Sequence, residues 1–214
     1  MKDLSNYRKT YEKSELTENN IPDCPIQLFQ QWFYEIENFG ASTEANAMTI
    51  STLGLDGFPK NRVVLLKKFN EEGYIFYTNY NSEKGKAIEQ NPNICASFFW
   101  EIAERQVIIK GKAEKIAENL SDGYFESRPK GSQLGAVVSP QSEVIPSKEY
   151  LLENLKKLEK IYENKPIERP KNWGGFCIKP VQIEFWQGRP NRLHDRIRFT
   201  LQNDYNWKIE RLAP

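Results

Sequence analysis

Five short stretches of the chain bring cationic, hydroxyl and amide side chains together closely enough to hold an anion or the edge of a heterocycle. Such groups hold phosphate by charge-assisted hydrogen bonds, with arginine supplying a planar fork of donors. In Arg62-Val-Val-Leu-Leu-Lys67, an unbroken strand would send Arg62 and Lys67 to opposite faces, because side chains alternate. Each could then serve a different ligand, although the stretch also reads as an ordinary strand with charged ends. In Tyr77-Thr-Asn-Tyr-Asn-Ser-Glu-Lys84, a strand ends and a helix begins. Hydroxyls, free helix N–H groups and Lys84 therefore gather where a helix N-terminus favours negative charge. In Tyr124-Phe-Glu-Ser-Arg128-Pro-Lys-Gly-Ser132, Tyr124 and Arg128 are four apart on a helix face. Pro129 disfavours helix at Arg128, so Ser132 is expected to open a second helical turn.

The remaining two stretches carry amides and the single histidine. Gln106 stands at the start of a strand, and Gln141-Ser142 follows Pro140 in a loop. An amide donates and accepts at once, which suits the edge of a ring such as flavin, though most glutamines are simply solvated. Phe185-Trp-Gln-Gly-Arg-Pro-Asn-Arg-Leu-His-Asp-Arg196 holds two aromatics, three arginines and the only histidine. If Arg192 to His194 is extended, Arg192, His194 and Arg196 share a face. Like charges gathered on one face call for an anion to balance them.

The elements that must position these groups are mostly short strands. Residues 1–25 are polar, carry Pro22 and Pro25, and read as a flexible arm, with one domain over residues 26–214. Apolar residues from Pro25 to Asn38 have helical spacing. Strands are expected at Ala47–Leu53, then after the Asp56-Gly57 turn signal from Arg62 to Phe69, and at Tyr74–Thr78. A helix from Ser82 to Gln90 has Ser82 as its cap. Strands at Ile94–Trp100 and Gln106–Ile116 follow, then helices near Leu120–Ser127 and Ser132–Val138. An amphipathic helix over Ser147–Asn164 carries Leu151, Leu155, Leu158 and Tyr162 on one stripe. The closing strands are Phe176–Ile178, Val181–Trp186, Arg192–Leu201 and Asn206–Leu212. Many short strands with tight turns and few intervening helices favour a mainly β, antiparallel barrel over a parallel α/β sheet.

Composition narrows the partners. The 214 residues carry 30 Lys and Arg against 29 Asp and Glu, so no global field draws nucleic acid or an anionic membrane. Mean hydropathy of −0.69 follows from the 28% of residues that are charged, beside 39% that are hydrophobic and sufficient for a core. No apolar run approaches the ~18 residues that span a bilayer, and the opening residues lack a secretory pattern. Cys24, Cys95 and Cys177 form no CxxC or Cys/His spacing, so neither a disulfide framework nor a protein-built metal site is expected. The expected compartment is the cytoplasm.

Eight pieces in order resemble the pyridoxamine 5′-phosphate oxidase family, from about Ala47 to Pro214. They are Arg62-Val-Val-Leu-Leu-Lys, Tyr77-Thr-Asn, Glu104-Arg-Gln-Val, Phe125-Glu-Ser-Arg-Pro, Ser139-Pro-Gln-Ser, Glu184-Phe-Trp-Gln-Gly, Arg192-Leu-His-Asp-Arg and Arg211-Leu-Ala-Pro. The resemblance implies a homodimer of FMN-binding split β-barrels with peripheral helices, the flavin lying at the subunit interface. It places Arg62, Val63, Val64, Leu65, Leu66 and Lys67 along the FMN, with Arg62 and Lys84 on its phosphate. Tyr77, Thr78, Gln106, Gln141, Ser142, Trp186 and Arg196 complete that site. Lys67, Tyr124, Arg128 and Ser132 form the cage for the substrate phosphate, Arg192 and His194 lie over the pyridine ring as the catalytic pair, and Arg8 with Tyr11 supplies lid contacts from the arm.

The implied reaction, part of vitamin B6 metabolism, oxidises pyridoxamine or pyridoxine 5′-phosphate to pyridoxal 5′-phosphate. Hydride leaves C4′ for the flavin, and dioxygen takes the electrons and is released as hydrogen peroxide. One departure from the family is Ser82-Glu-Lys84 where Ser-Arg-Lys is usual. A carboxylate cannot replace a cationic phosphate contact, so Glu83 is left out of the site. A split-barrel flavin reductase or an FMN- or haem-binding protein would need neither the Tyr124/Arg128/Ser132 cage nor Arg192 with His194, and the FMN-like residues argue against a pyridoxal-phosphate carrier.

Overall fold

The computed structural model describes residues 1–39 and 44–214. In chain order its elements are α1 (Pro25–Asn38), β1 (Ala47–Leu53), β2 (Pro59–Leu65), β3 (Lys68–Asn70), β4 (Gly73–Asn79), α2 (Glu83–Gln90), β5 (Asn93–Trp100) and β6 (Arg105–Lys115). Then come α3 (Glu118–Ser127), α4 (Lys130–Val138), α5 (Lys148–Ile161), β7 (Trp173–Gln187), β8 (Asp195–Leu201) and β9 (Trp207–Arg211). The hydrogen-bonded strand order is β2-β1-β5-β6-β7-β4-β3, with β8 on β7 and β9 on β8. Four pairings, β3–β4, β4–β7, β7–β8 and β8–β9, are antiparallel in defined register. The chain divides into two compact units, one of Met1–Ile50, Cys95–Gly111 and Pro180–Pro214, the other of Ser51–Ile94 and Lys112–Lys179.

The first unit is built on α1. Its helical spacing buries Ile26, Leu28, Phe29, Trp32, Phe33 and Ile36, and Pro25 occupies the first turn, where its missing N–H is not needed. Phe29 meets Phe98 at 5.1 Å between centroids, and Trp32 meets Phe185 edge-on at 5.2 Å. Fully burying one such side chain is worth about 1.5–3 kcal/mol. Arg105 is buried here with its guanidinium partnered. It pairs with Glu35, donates to Gln187 at 2.9 Å, and lies 4.4 Å over the Trp32 ring.

The arm packs onto this same unit. The backbone N–H groups of Glu12 and Lys13 donate to one carboxylate oxygen of Glu104, at 2.9 and 3.2 Å. Leu16 is buried and its N–H donates to Asp195, while Arg211 reaches the Leu16 carbonyl and the Glu18 carboxylate. Composition alone reads these residues as a flexible arm because it cannot show where a polar segment finds its partners.

The second unit positions the cationic stretches. Ser82 caps α2 as expected: its Oγ accepts from the Gly85 N–H and donates to the Asn79 carbonyl. Gly85 faces the Tyr80 carbonyl so closely that a Cβ there would stand 2.1 Å from the oxygen. α3 ends at Ser127, and Arg128 is extended at φ −75°, ψ 147°, as the residue before a proline should be. Ser132 does not open the next helix; α4 begins at Lys130, and the Ser132 N–H closes its first turn on the Pro129 carbonyl. The predicted stripe of α5 is partly confirmed: Leu155, Leu158 and Tyr162 pack on Phe125, Leu134, Ile167 and Trp173.

Three strand expectations are corrected. The strand read from Arg62 to Phe69 breaks after Leu65 and resumes at Lys68. Lys67 uses its N–H on the Ile75 carbonyl, so alternation cannot be carried from Arg62 to Lys67. The two strands read at 176–178 and 181–186 are one, β7. Pro180 falls between the part paired with β4 and the part paired with β8, where its missing N–H interrupts neither ladder. Lastly, Arg192 to His194 is not extended. Pro190–Arg192 is a 3₁₀ turn with Asn191 and Arg192 at φ +56° and +61°, and β8 starts only at Asp195.

Candidate active site

A cleft of about 670 Å³ opens in the second unit. Its walls include Val63, Val64 and Leu65 of β2, Lys67, Tyr77 and Thr78, Lys84 of α2, Tyr124, Arg128, Ser132 and Gln141. Two consecutive helices, α3 and α4, supply one wall, because the Pro129 break turns Arg128 away from the α3 axis just before α4 brings in Ser132. Leu66 is buried in the core rather than on the cleft wall, and Ser142 is exposed in a loop at φ +76°.

Lys84, Lys67 and Arg128 are cations of the cleft wall, and Arg62 stands beside Lys84. Arg62 donates to the Thr52 hydroxyl at 2.7 Å, and Lys84 donates to the Gln141 carbonyl oxygen at 3.3 Å, which also accepts from Thr78 at 3.2 Å. Burial lowers the pKa of Lys84, and the neighbouring Arg62 charge lowers it further, with Glu83 opposing. Burial likewise lowers that of Arg62. Glu83 is already bonded to Lys60 at 2.6 Å. Two neighbouring half-buried cations, one of which disfavours the charge of the other, call for an anion.

Arg128 belongs to a second set, with Lys67, Tyr124 and Ser132. Its guanidinium lies 4.6 Å over the Trp173 ring, and its Nη1 is buried with no hydrogen-bond partner. Burial lowers the Arg128 pKa, with Tyr124 opposing. A buried charged donor without an acceptor costs free energy that a bound anion would recover.

A separate cluster stands in the first unit. His194 lies 4.7 Å from the Trp186 ring and 5.9 Å from Tyr11, and Tyr11 meets Trp186 edge-on at 5.7 Å. Gly188 makes room for this: a Cβ there would stand 2.7 Å from the Tyr11 ring. Nδ1 of His194 accepts the Arg189 backbone N–H at 3.1 Å. Burial and the Arg192 charge lower the His194 pKa, with Asp195 opposing. Arg192 and Arg8 are exposed. Gln106 donates to Ser97, and Arg196 is bonded to Glu184 at 2.8 Å and to the Ala213 carbonyl. Among the described residues no three His, Cys, Asp or Glu side chains are grouped to hold a metal, and no helix is long and apolar enough to cross a membrane.

Comparison with known proteins decides the family. A family model described as pyridoxamine 5′-phosphate oxidase matches residues 35–162, more than half the chain. This chain belongs to that family. A second model, the pyridoxine 5′-phosphate oxidase C-terminal dimerisation region, matches residues 173–214. The pyridoxine/pyridoxamine 5′-phosphate oxidase of Flavobacterium johnsoniae is 72% identical over 213 residues, covering 100% of each chain. That of Flavobacterium psychrophilum is 70% identical, again with full coverage of both. Among solved structures, PhzG from Burkholderia lata superposes with a TM-score of 0.85 at 24% identity, covering 92% of this chain and 95% of its own. At that identity the likeness speaks for the fold, which is the split barrel of the oxidase family.

Within this family member, eleven of the expected residues line one cleft: Val63, Val64, Leu65, Lys67, Tyr77, Thr78, Lys84, Tyr124, Arg128, Ser132 and Gln141. Tyr11, Trp186 and His194 meet in a second cluster. Two contributors escaped the sequence reading. Trp173 lines the cleft, and its only signal was an aromatic directly before Gly174-Gly175. Glu104 holds the arm; it stands inside a quoted family motif, yet nothing local marks its distant partners.

Proposed function

We propose that the chain is the FMN-dependent oxidase of pyridoxamine and pyridoxine 5′-phosphate, acting as a homodimer in the cytoplasm. With the amine, pyridoxamine 5′-phosphate, dioxygen and water give pyridoxal 5′-phosphate, ammonia and hydrogen peroxide. With the alcohol, pyridoxine 5′-phosphate and dioxygen give pyridoxal 5′-phosphate and hydrogen peroxide. The observation that carries this reading is that Lys84, with the Arg62 charge beside it, and Lys67 with Arg128 line one cleft, because two phosphate-bearing molecules have to be held side by side.

Arg62 and Lys84 hold the FMN phosphate. Lys84 stands in the first turn of α2, so free helix N–H groups and the macrodipole add to its charge. Thr78 and Gln141 are already bonded to one another, which fixes the amide that would meet the cofactor. Gln106, Trp186 and Arg196 complete the cofactor contacts in the assembled dimer. FMN, when bound, takes the hydride from substrate C4′ and delivers the electrons to dioxygen.

The protein's share of the chemistry is positioning and charge. Lys67, Tyr124, Arg128 and Ser132 hold the substrate phosphate, so the pyridine ring is anchored at one end. Arg192 supplies a fixed positive charge over the ring, and His194 orients it. Arg8 and Tyr11 cover the ring from the arm, whose next residues are tied to Glu104. The test is the absorbance spectrum of the purified protein before and after anaerobic pyridoxamine 5′-phosphate. Bleaching of a bound flavin is expected. A flavin-loaded protein that does not bleach, or one that cannot be loaded with FMN, overturns the assignment.

A further inference from the structure

Arg128 differs from six other arginines of this chain in having an aromatic ring where they have a carboxylate. Arg105, Arg169, Arg189, Arg196, Arg198 and Arg211 each pair with Asp or Glu. Arg128 lies instead 4.6 Å over Trp173, with Phe125 at 5.8 Å. A guanidinium held by its face keeps its N–H edge free, and a carboxylate would have consumed that edge.

The same indole orders the two tyrosines of the cleft. Tyr77 stacks on Tyr124 at 3.9 Å, and both rings lie nearly parallel to Trp173, at 12° and 8°. Trp173 is itself fixed. It is 6% exposed, its N–H donates to the Pro170 carbonyl, and its carbonyl accepts from Arg169, which Asp122 holds. The chain thus spends two side chains on clamping the backbone of one aromatic residue whose ring faces the cleft.

We propose that Trp173 is the positioning residue of the substrate-phosphate cage: its indole sets the Arg128 guanidinium and, through Tyr77, the plane of Tyr124. It touches neither phosphate nor ring chemistry and acts through its neighbours. The inference rests on the reading of Arg128 as a ligand of the substrate phosphate, and the experiment separates the two.

The FMN-loaded dimer is prepared with Trp173→Leu and Trp173→Phe, each alone and combined with Arg128→Ala. KM and kcat for pyridoxamine 5′-phosphate, competitive inhibition by inorganic phosphate, and flavin content are measured. Losing the cation–π contact should raise KM and the phosphate inhibition constant about 3- to 30-fold in Trp173→Leu, with kcat and flavin content held within about two-fold. Trp173→Phe keeps a smaller ring and should fall between, about 2- to 5-fold. In the Arg128→Ala background, Trp173→Leu should add less than about two-fold, since the residue it acts through is gone.

A full Trp173→Leu effect without Arg128 would overturn the proposal, as would an unchanged KM in a folded Trp173→Leu. Should the leucine variant not fold, a Trp173→Phe enzyme with wild-type KM overturns it equally. If Arg128→Ala alone strips the flavin and leaves KM untouched, it is the underlying reading of the cage that has failed.

Discussion

The backbone N–H of Arg189 donates to Nδ1 of His194 at 3.1 Å. Nδ1 is therefore an acceptor, which leaves the ring proton on Nε2 and the imidazole neutral. Burial and Arg192 push the His194 pKa down, with Asp195 opposing, in the direction this tautomer requires. His194 is thus a neutral donor through Nε2.

Two replacements separate the nitrogens. His194→Asn keeps an acceptor near the Nδ1 position and loses Nε2, whereas His194→Gln reaches the Nε2 position and gives up the Arg189 contact. Under anaerobic stopped flow, the asparagine variant should lose about 2- to 10-fold in the rate of flavin reduction, the scale of one neutral hydrogen bond. Glutamine should retain more. Equal and complete loss in both would reassign His194 to proton transfer.

The lowered pKa also has a sign for stability. An unfolded histidine takes up its proton near the ordinary 6.5, and the native one only at lower pH. Native stability should therefore fall as pH drops below about 6.5 and level off beneath the folded value. Thermal melts between pH 5 and 7.5 should show this slope, and His194→Gln should flatten it. A slope unchanged by the substitution assigns it to other groups.

The two cationic sets should fail differently. Arg128→Ala should raise KM for the phosphorylated substrate about 10- to 150-fold while flavin stays bound, the cost of one charged hydrogen bond. Arg62→Ala should weaken FMN by a similar factor with less effect on KM. Equilibrium flavin fluorescence and initial rates read both. The converse pattern would mean that the two phosphates are exchanged.

Glu83 stands beside this pair and is bonded to Lys60. Its charge favours the ionised forms of Arg62 and Lys84 yet repels a bound phosphate. Glu83→Gln should tighten FMN by about 2- to 5-fold in low salt and by less as salt rises. Weaker binding would show that the carboxylate serves chiefly at the start of α2.

Glu104 holds the arm from a left-handed backbone at φ +57°, a conformation that glycine would adopt more readily. Glu104→Gly should therefore relax the turn and still release the arm, exposing Lys9 and Lys13 to trypsin, while Glu104→Gln keeps an acceptor and resists. Cleavage at equal rates in the two variants would place the arm's anchorage elsewhere.

Local rules made much of the fold legible. Apolar spacing marks α1 from Pro25 to Asn38, Ser82 caps α2, and Pro129 leaves Arg128 extended. The misses share one cause, since they depend on partners far along the chain. Nothing within Arg62 to Phe69 shows that Lys67 pairs with Ile75 and splits the strand. Nothing near Arg192 shows the turn that follows Pro190. Lys67, Tyr77, Thr78, Lys84, Tyr124, Arg128 and Ser132 were recoverable because each carries a charge or hydroxyl near a helix or strand end, whereas Val63, Val64 and Leu65 came only with the family resemblance. Trp173 was not, because an aromatic at a strand start reads as core until the arginine above it is seen.

Gly85 has a consequence for anyone seeking a hardier version of this enzyme. Replacing a helical glycine with alanine ordinarily stabilises by about 0.5–1 kcal/mol, and a propensity-guided screen would choose this first-turn position early. Here the methyl group would collide with the Tyr80 carbonyl, so α2 would have to slide outward and carry Lys84 with it. The close approach of Gly85 to Tyr80 works as a ruler for the cation next door, and the gain in heat tolerance that helix chemistry promises would be exchanged for a misplaced charge and a loosely held flavin.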